Sequence, residues 1–139
     1  MADVSIDSSL VKTSSSNTNL KIAGISGGAF EAGQPLALNG ANKLVVCDND
    51  AVAPANVLVG VALCSCAGAD QPCYYAPTDA NFEPGFVPTQ GETYVVSSVA
   101  GAICPIADLG SGDTVNYVGT GKAAGKLDLF CRASGVAKP

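Results

Sequence analysis

Gly33-Gln34-Pro35-Leu36-Ala37-Leu38-Asn39 and Gly91-Glu92-Thr93-Tyr94-Val95-Val96-Ser97 are the two stretches whose reading decides the fold. In each, a glycine opens an apolar run too short for a helix, and a second short run follows: Lys43-Leu44-Val45 after the first, Ala102-Ile103-Cys104 after the second. Each pair is answered by a strand-like run ending on glycine, Val57-Leu58-Val59-Gly60 and Asn116-Tyr117-Val118-Gly119. The copies are offset by 58 residues at the first glycine and by 59 later, so one inserted residue reconciles them. Two copies are too few for a solenoid or propeller; the expectation is two similar β units closing one barrel or sandwich.

Working outward, the chain from Leu20 onward is short apolar runs separated by turn chemistry. Strands are expected over 20–25, 35–38, 44–47, 57–66, 73–76, 93–98, 102–106, 114–118 and 127–133. Gly27-Gly28, Asn39-Gly40, Asp48-Asn49-Asp50, Gly68-Ala69-Asp70-Gln71, Pro84-Gly85 and Gly110-Ser111-Gly112-Asp113 punctuate them. The segments 51–55 and 121–125 are too short and too broken by Gly or Pro to be more than turns. Composition agrees: 47% apolar and 14% charged excludes a disordered chain, and 16 Gly with 8 Pro serve turns better than helices. The fold class is therefore all-β or mainly β, a single compact barrel or sandwich.

The first 19 residues read differently. Ser14-Ser15-Ser16-Asn17-Thr18-Asn19 is a polar stretch behind the apolar pairs Val4/Ile6 and Leu10/Val11. The domain division is an extended N-terminal arm, 1–19, and a β-rich body, 20–139. Fully extended, the arm spans on the order of 60 Å, against a radius of gyration near ~14 Å for a body of this size. It is long enough to reach another subunit, and equally able to lie in solvent or on its own domain.

The same cadence resembles a known family. Gly33-Gln34-Pro35-Leu36-Ala37-Leu38, Lys43-Leu44-Val45-Val46 and Val59-Gly60-Val61-Ala62 are similar to the repeated pattern of small phage capsid decoration (head cement) proteins. Tyr94-Val95-Val96-Ser97, Gly101-Ala102-Ile103, Gly112-Asp113-Thr114-Val115 and Val118-Gly119 resemble its second half. The likeness covers residues 31–130. It implies a barrel-like subunit on the outer surface of a capsid, reinforcing joints between major capsid proteins, as a homotrimer or other small homo-oligomer. The six cysteines and the Pro-rich insert 77–88 depart from the pattern.

With no histidine, Ser-His and Cys-His catalysis is excluded. Asp48 and Asp50 are a carboxylate pair that an extended strand would place on one face, but Asp-Asn-Asp after a strand is turn material. As a calcium loop the same stretch fails, with Ala53 where glycine is needed and Gly60 where glutamate would close the site. Gly119 to Lys126 lacks phosphate-loop spacing and has Leu127 where Ser or Thr would bind magnesium; a Gly-Lys hairpin is expected. The chain is read as no enzyme, with no cofactor and no metal.

Six cysteines without histidine or paired C-x-x-C knuckles read mainly as reduced, small apolar core residues. A four-residue turn at 68–71 would set Cys66 opposite Cys73, adjacent in space whether or not they are oxidised. Tyr74, Tyr75, Phe82 and Phe86 gather in a Pro-punctuated loop, either a lid on the barrel or an exposed anchor for a partner. Net charge is −5 with scattered Lys and Arg, which argues against nucleic acid; no apolar run is long enough for a membrane span.

The functional expectation is a structural virion protein on the outer capsid surface, made in the bacterial host cytoplasm. Its partner would be the major capsid protein, met through Val4, Ile6, Leu10, Val11, Phe82 and Phe86. The alternative is a carbohydrate- or adhesin-like β-sandwich binding module using the 74–86 aromatic loop.

Overall fold

A computed structural model describes residues 3–13 and 21–139; the polar stretch of the expected arm, 14–19, lies outside the described residues. The fold is mainly β, as the punctuated sequence requires, and consists of two antiparallel sheets. A two-residue strand comes first, β1 (Val11–Lys12). Five strands then follow: β2 (Ile22–Ile25), β3 (Pro35–Leu38), β4 (Leu44–Val46), β5 (Gly60–Ala62) and β6 (Pro72–Ala76). They form one sheet in the order β2-β6-β5-β3-β4. The remaining strands are β7 (Thr78–Pro84), β8 (Thr93–Val96), β9 (Ile103–Pro105), β10 (Thr114–Gly121) and β11 (Leu127–Ala137). With β1 they form the second sheet, β1-β7-β11-β10-β8-β9.

Set beside each other, β2-β6-β5-β3-β4 and β7-β11-β10-β8-β9 are the same arrangement built twice in chain order. The registers agree as well. Leu36 faces Val46 and Ala37 faces Val45 in the first unit; Tyr94 faces Pro105 and Val95 faces Cys104 in the second. Leu36 faces Gly60, and Tyr94 faces Gly119. These are the pairings the 58- and 59-residue offsets demand. Gly60 and Gly119 share a physical role, because a Cβ at either position would run into the backbone of the next strand, at Ala76 and Asp128 respectively.

The first sheet curls until its ends meet. Ser26, just past β2, bridges Leu44 of β4, and the Gly27 N–H donates to the Leu44 carbonyl at 2.6 Å. The curl encloses Phe30, Leu36, Leu44, Ala62, Cys66 and Cys73. Its outer face contributes Ala37, Val61 and Ala76 to the main core, where Phe82, Tyr94, Val96, Ile103, Val118, Leu127 and Leu129 of the second sheet meet them. A third cluster, Val95, Cys104, Leu109 and Val115, covers the opposite face of that sheet. Strand alternation therefore divides neighbours between layers: Val95 serves the outer cluster, and Tyr94 and Val96 the main core.

Among the strands, sequence reading and structure part company in two places. The run 57–66 forms a strand only over Gly60–Ala62. Strand β7 occupies the Pro-rich insert, where a loop was expected. Its prolines flank the strand: Pro77 precedes it, and Pro84 ends it, opposite Val11 of the edge strand β1, so no central ladder hydrogen bond is lost. Of the alternatives open for the N-terminal arm, residues 3–13 take the one in which they lie on the body of their own chain.

Candidate functional site

The N-terminal segment is docked by backbone hydrogen bonds and by glycines. The Val4 N–H donates to the Ile103 carbonyl at 2.9 Å, and the Asp7 N–H to the Gly85 carbonyl at 2.8 Å. Val11 and Lys12 then pair with Pro84 and Glu83. Ile6 and Val11 drop their methyl groups onto Gly33 (φ +94°) and Gly85 (φ +83°). A Cβ on Gly33 would lie 2.5 Å from Ile6 Cγ2, so these glycines supply both the left-handed backbone and the space the segment occupies. Between the contacts, Asp7 caps a 3-10 turn, Ser8–Leu10, by accepting from the Ser9 N–H at 3.0 Å and the Ser9 hydroxyl at 2.6 Å.

This placement sorts the residues expected to meet a partner. Val4, Ile6 and Val11 are half-buried and packed against the main core. Leu10 points outward, 61% exposed. Phe82 is fully enclosed, a correction to its reading as a partner residue: strand alternation turns it into the core between the sheets. Phe86 is half-buried, its ring 5.2 Å from that of Tyr94. The four aromatics from Tyr74 to Phe86 do not share a surface, because they sit on strands β6 and β7 or just beyond; Tyr74 alone among them is largely exposed.

What remains exposed around the docked segment is a groove of about 330 Å³ lined by Ser9, Leu10, Lys12, Glu83, Phe86 and Val87, among others. Val87 is 85% exposed and stands with Leu10 as its apolar feature. Glu83 forms ion pairs with Lys126 at 3.1 Å and Lys12 at 3.5 Å. The hydrogen bond from Lys126, helped by the charge of Lys12, holds its carboxyl below the usual glutamate range.

A second groove, about 400 Å³, lies across β8, β10 and β11 and is lined by Thr93, Tyr117, Phe130, Arg132, Ala133 and Ser134. Sequence reading missed it. The run Phe130 to Ser134 meets Tyr117 and Thr93 only through the pairing of β11 with β10 and of β10 with β8, so no local motif announces it.

The candidate catalytic and ligand motifs resolve into structural roles. The Asp48 carboxylate accepts from the Asp50 N–H at 3.0 Å, an Asx turn. Between them Asn49 is buried and donates to the carbonyls of Val96 at 2.7 Å and Ser97 at 3.0 Å, while its own Oδ1 accepts from Asn116 Nδ2 at 2.7 Å. Lys122, in the Gly-Lys hairpin between β10 and β11, is committed to the Ala80 carbonyl and Asn81 Oδ1 of β7, and Lys126 to Glu83. Among the described residues, no group of three or more acidic or cysteine side chains is arranged to hold a metal ion, and no helix is long and apolar enough to cross a membrane.

Cys66 and Cys73 are brought together, but not by the expected register. Val61 faces Ala76 and Ala62 faces Tyr75, and the ladder continues through a hydrogen bond from the Leu63 N–H to the Tyr74 carbonyl at 3.0 Å. That alignment sets Cys64, not Cys66, opposite Cys73. Cys66 has turned away to bridge Phe30. All three thiols nevertheless interact, and burial, followed by the neighbouring Cys66 and Cys64, pushes the Cys73 thiol up to about 12.

Comparison with protein-family models and with curated proteins finds no match to the chain.

Proposed function

We propose that this chain is a structural virion protein that binds the outer surface of a phage capsid and stabilises contacts between capsomers. The observation that carries the reading is the doubled unit: the cadence resembling the decoration proteins, Gly33–Leu38, Lys43–Val46 and Val59–Ala62, lies on β3, β4 and β5, and its second copy lies on β8, β9 and β10 in the same order. The lack of histidine in the sequence and the structural use of Asp48, Lys122 and Lys126 support a role without catalysis.

In this reading the capsid is met at the groove beside the N-terminal segment. Leu10 and Val87 supply apolar contact, and a major capsid protein is the partner. A homotrimer or other small homo-oligomer is part of the same proposal. The aromatic-loop alternative loses its platform, since Phe82 is enclosed and Phe86 lies against Tyr94.

The test is co-sedimentation of the purified chain with intact phage heads, with Leu10→Asp and Val87→Asp as paired variants. Saturable binding, weakened at least about tenfold by each variant without a change in thermal transition, is the expected result. A chain that stays in the supernatant at every concentration overturns the reading.

A further inference from the structure

Three of the six thiols gather at one end of the curled sheet. Cys66 and Cys73 belong to its enclosed cluster, and Cys64 packs against them while keeping part of its surface in solvent. The β5–β6 ladder ends at Ala62 and Tyr75, and the Leu63 N–H bond to the Tyr74 carbonyl carries the alignment one residue further, so that Cys64 comes beside Cys73. Cα atoms of residues facing one another across antiparallel strands are about 4.5–5.5 Å apart, within the roughly 4.4–6.8 Å a disulfide spans. The strand bends at this point, and the Tyr74 N–H donates to Cys64 Sγ at 3.4 Å, which orients that sulfur toward β6.

We propose that this cluster is a thiol–disulfide exchange site, at which a low-molecular-weight disulfide such as oxidised glutathione reacts first with Cys64 and leaves behind a Cys64–Cys73 disulfide. In the first step the Cys64 thiolate attacks one sulfur of the oxidant. The oxidant's S–S bond breaks, and one glutathione departs as a thiolate that takes a proton from water. In the second, Cys73 gives up its proton to solvent and attacks Cys64 Sγ, expelling the second glutathione. Two protein thiols are oxidised, and one oxidant disulfide is reduced to two thiols. The order follows from access: Cys64 is the partly exposed member, whereas Cys66 and Cys73 are enclosed. Burial also raises the Cys66 and Cys73 thiols, which suits them to respond rather than initiate. This inference is independent of any role on a capsid.

The test is incubation of the native protein with oxidised glutathione, followed by alkylation and digestion with a protease that cuts before aspartate. Asp70 lies between the cysteines, so Cys64 and Cys66 fall in peptide 50–69, Cys73 in 70–78, and Cys47, Cys104 and Cys131 in three others. The expected product is 50–69 joined to 70–78, with loss of two hydrogens from the intact mass. Cys66→Ser keeps this linkage; Cys64→Ser slows its formation at least about tenfold. Loss of the linkage in Cys66→Ser with retention in Cys64→Ser overturns the assignment to Cys64. A dominant linkage to the Cys47, Cys104 or Cys131 peptide overturns the site. So does wild-type protein that equilibrates with the oxidant without losing hydrogens, a readout that needs no variant to fold.

Discussion

Replacing Asn116 by alanine probes how the loop after β4 is held on the second sheet. Asn116 is fully buried and is the centre of a polar cluster. Its Nδ2 donates to Asn49 Oδ1 at 2.7 Å and to the Asn56 carbonyl at 3.1 Å, and its Oδ1 accepts from the Leu58 N–H at 3.4 Å. Alanine deprives all three partners at once. A buried polar group left without a partner costs about 1–3 kcal/mol; with about 1 kcal/mol for the long Leu58 contact and about 1–2 kcal/mol for each of the other two, the loss is about 3–5 kcal/mol. Against a total stability of roughly 5–15 kcal/mol for a domain, that is a large fraction. Urea unfolding followed by circular dichroism is the assay; with an m value of about 2 kcal/mol/M the midpoint falls by roughly 2 M. Asn49→Ala removes an overlapping set of bonds, so the double variant is expected to cost less than the two single changes added together. A midpoint shift under about 0.5 M for Asn116→Ala refutes the argument, because the cluster would then be satisfied by water.

Gly85→Ala places a Cβ 2.5 Å from the Asp7 carbonyl at a residue with φ +83°, and is expected to expel the N-terminal segment; trypsin then cuts after Lys12 at least several-fold faster than in the wild type. Deleting residues 1–13 is expected to lower the thermal transition, since Val4, Ile6 and Val11 pack against the main core; an unchanged transition in differential scanning calorimetry contradicts the docking. Glu83 has a folded-state pKa below its unfolded one, so its contribution to stability is present above the ordinary glutamate range and is lost as pH falls through the lowered value. Glu83→Gln therefore flattens the stability profile on the acid side, and equal slopes in acid-range urea titrations would contradict the ion-pair geometry. Burial pushes the Cys47 thiol up to about 12 and the Cys104 thiol up to about 11, so alkylation of the native protein near pH 8 is expected to label Cys64 well before either, as read by mass spectrometry of the digest.

Local patterns carried most of the fold. Pro35–Leu38 is the strand its sequence announces, and the Gly33 and Gly91 cadences mark two units whose strand orders coincide. Strand β7 escaped notice because Thr78–Pro84 mixes polar and apolar residues between prolines; what makes it a strand is β11 on one side and β1 on the other. Local signals were weaker for the site. That Val4, Ile6 and Val11 are apolar was visible, but that Gly33 and Gly85 hollow out their seats depends on residues brought together from distant parts of the chain. Phe82 and Phe86 look alike in sequence and differ in burial because Phe82 lies on β7 and Phe86 beyond its end, past the left-handed Gly85. The thiol register failed for a similar reason. Counting a four-residue turn ignores the bend at Leu63 and Cys64, which diverts Cys66 to Phe30 and leaves Cys64 facing Cys73.

The seat of the N-terminal segment also sets a timetable. Ile6 and Val11 rest on Gly33 and Gly85, one glycine from each unit, and Val4 is bonded to Ile103. A chain emerging from the ribosome presents residues 3–13 long before Gly85 and Ile103 exist, so this segment must wait through the synthesis of both units. Its closure spans most of the sequence and is complete only once β7 and β9 are in place, which makes docking a late event in folding and a seal on the finished body.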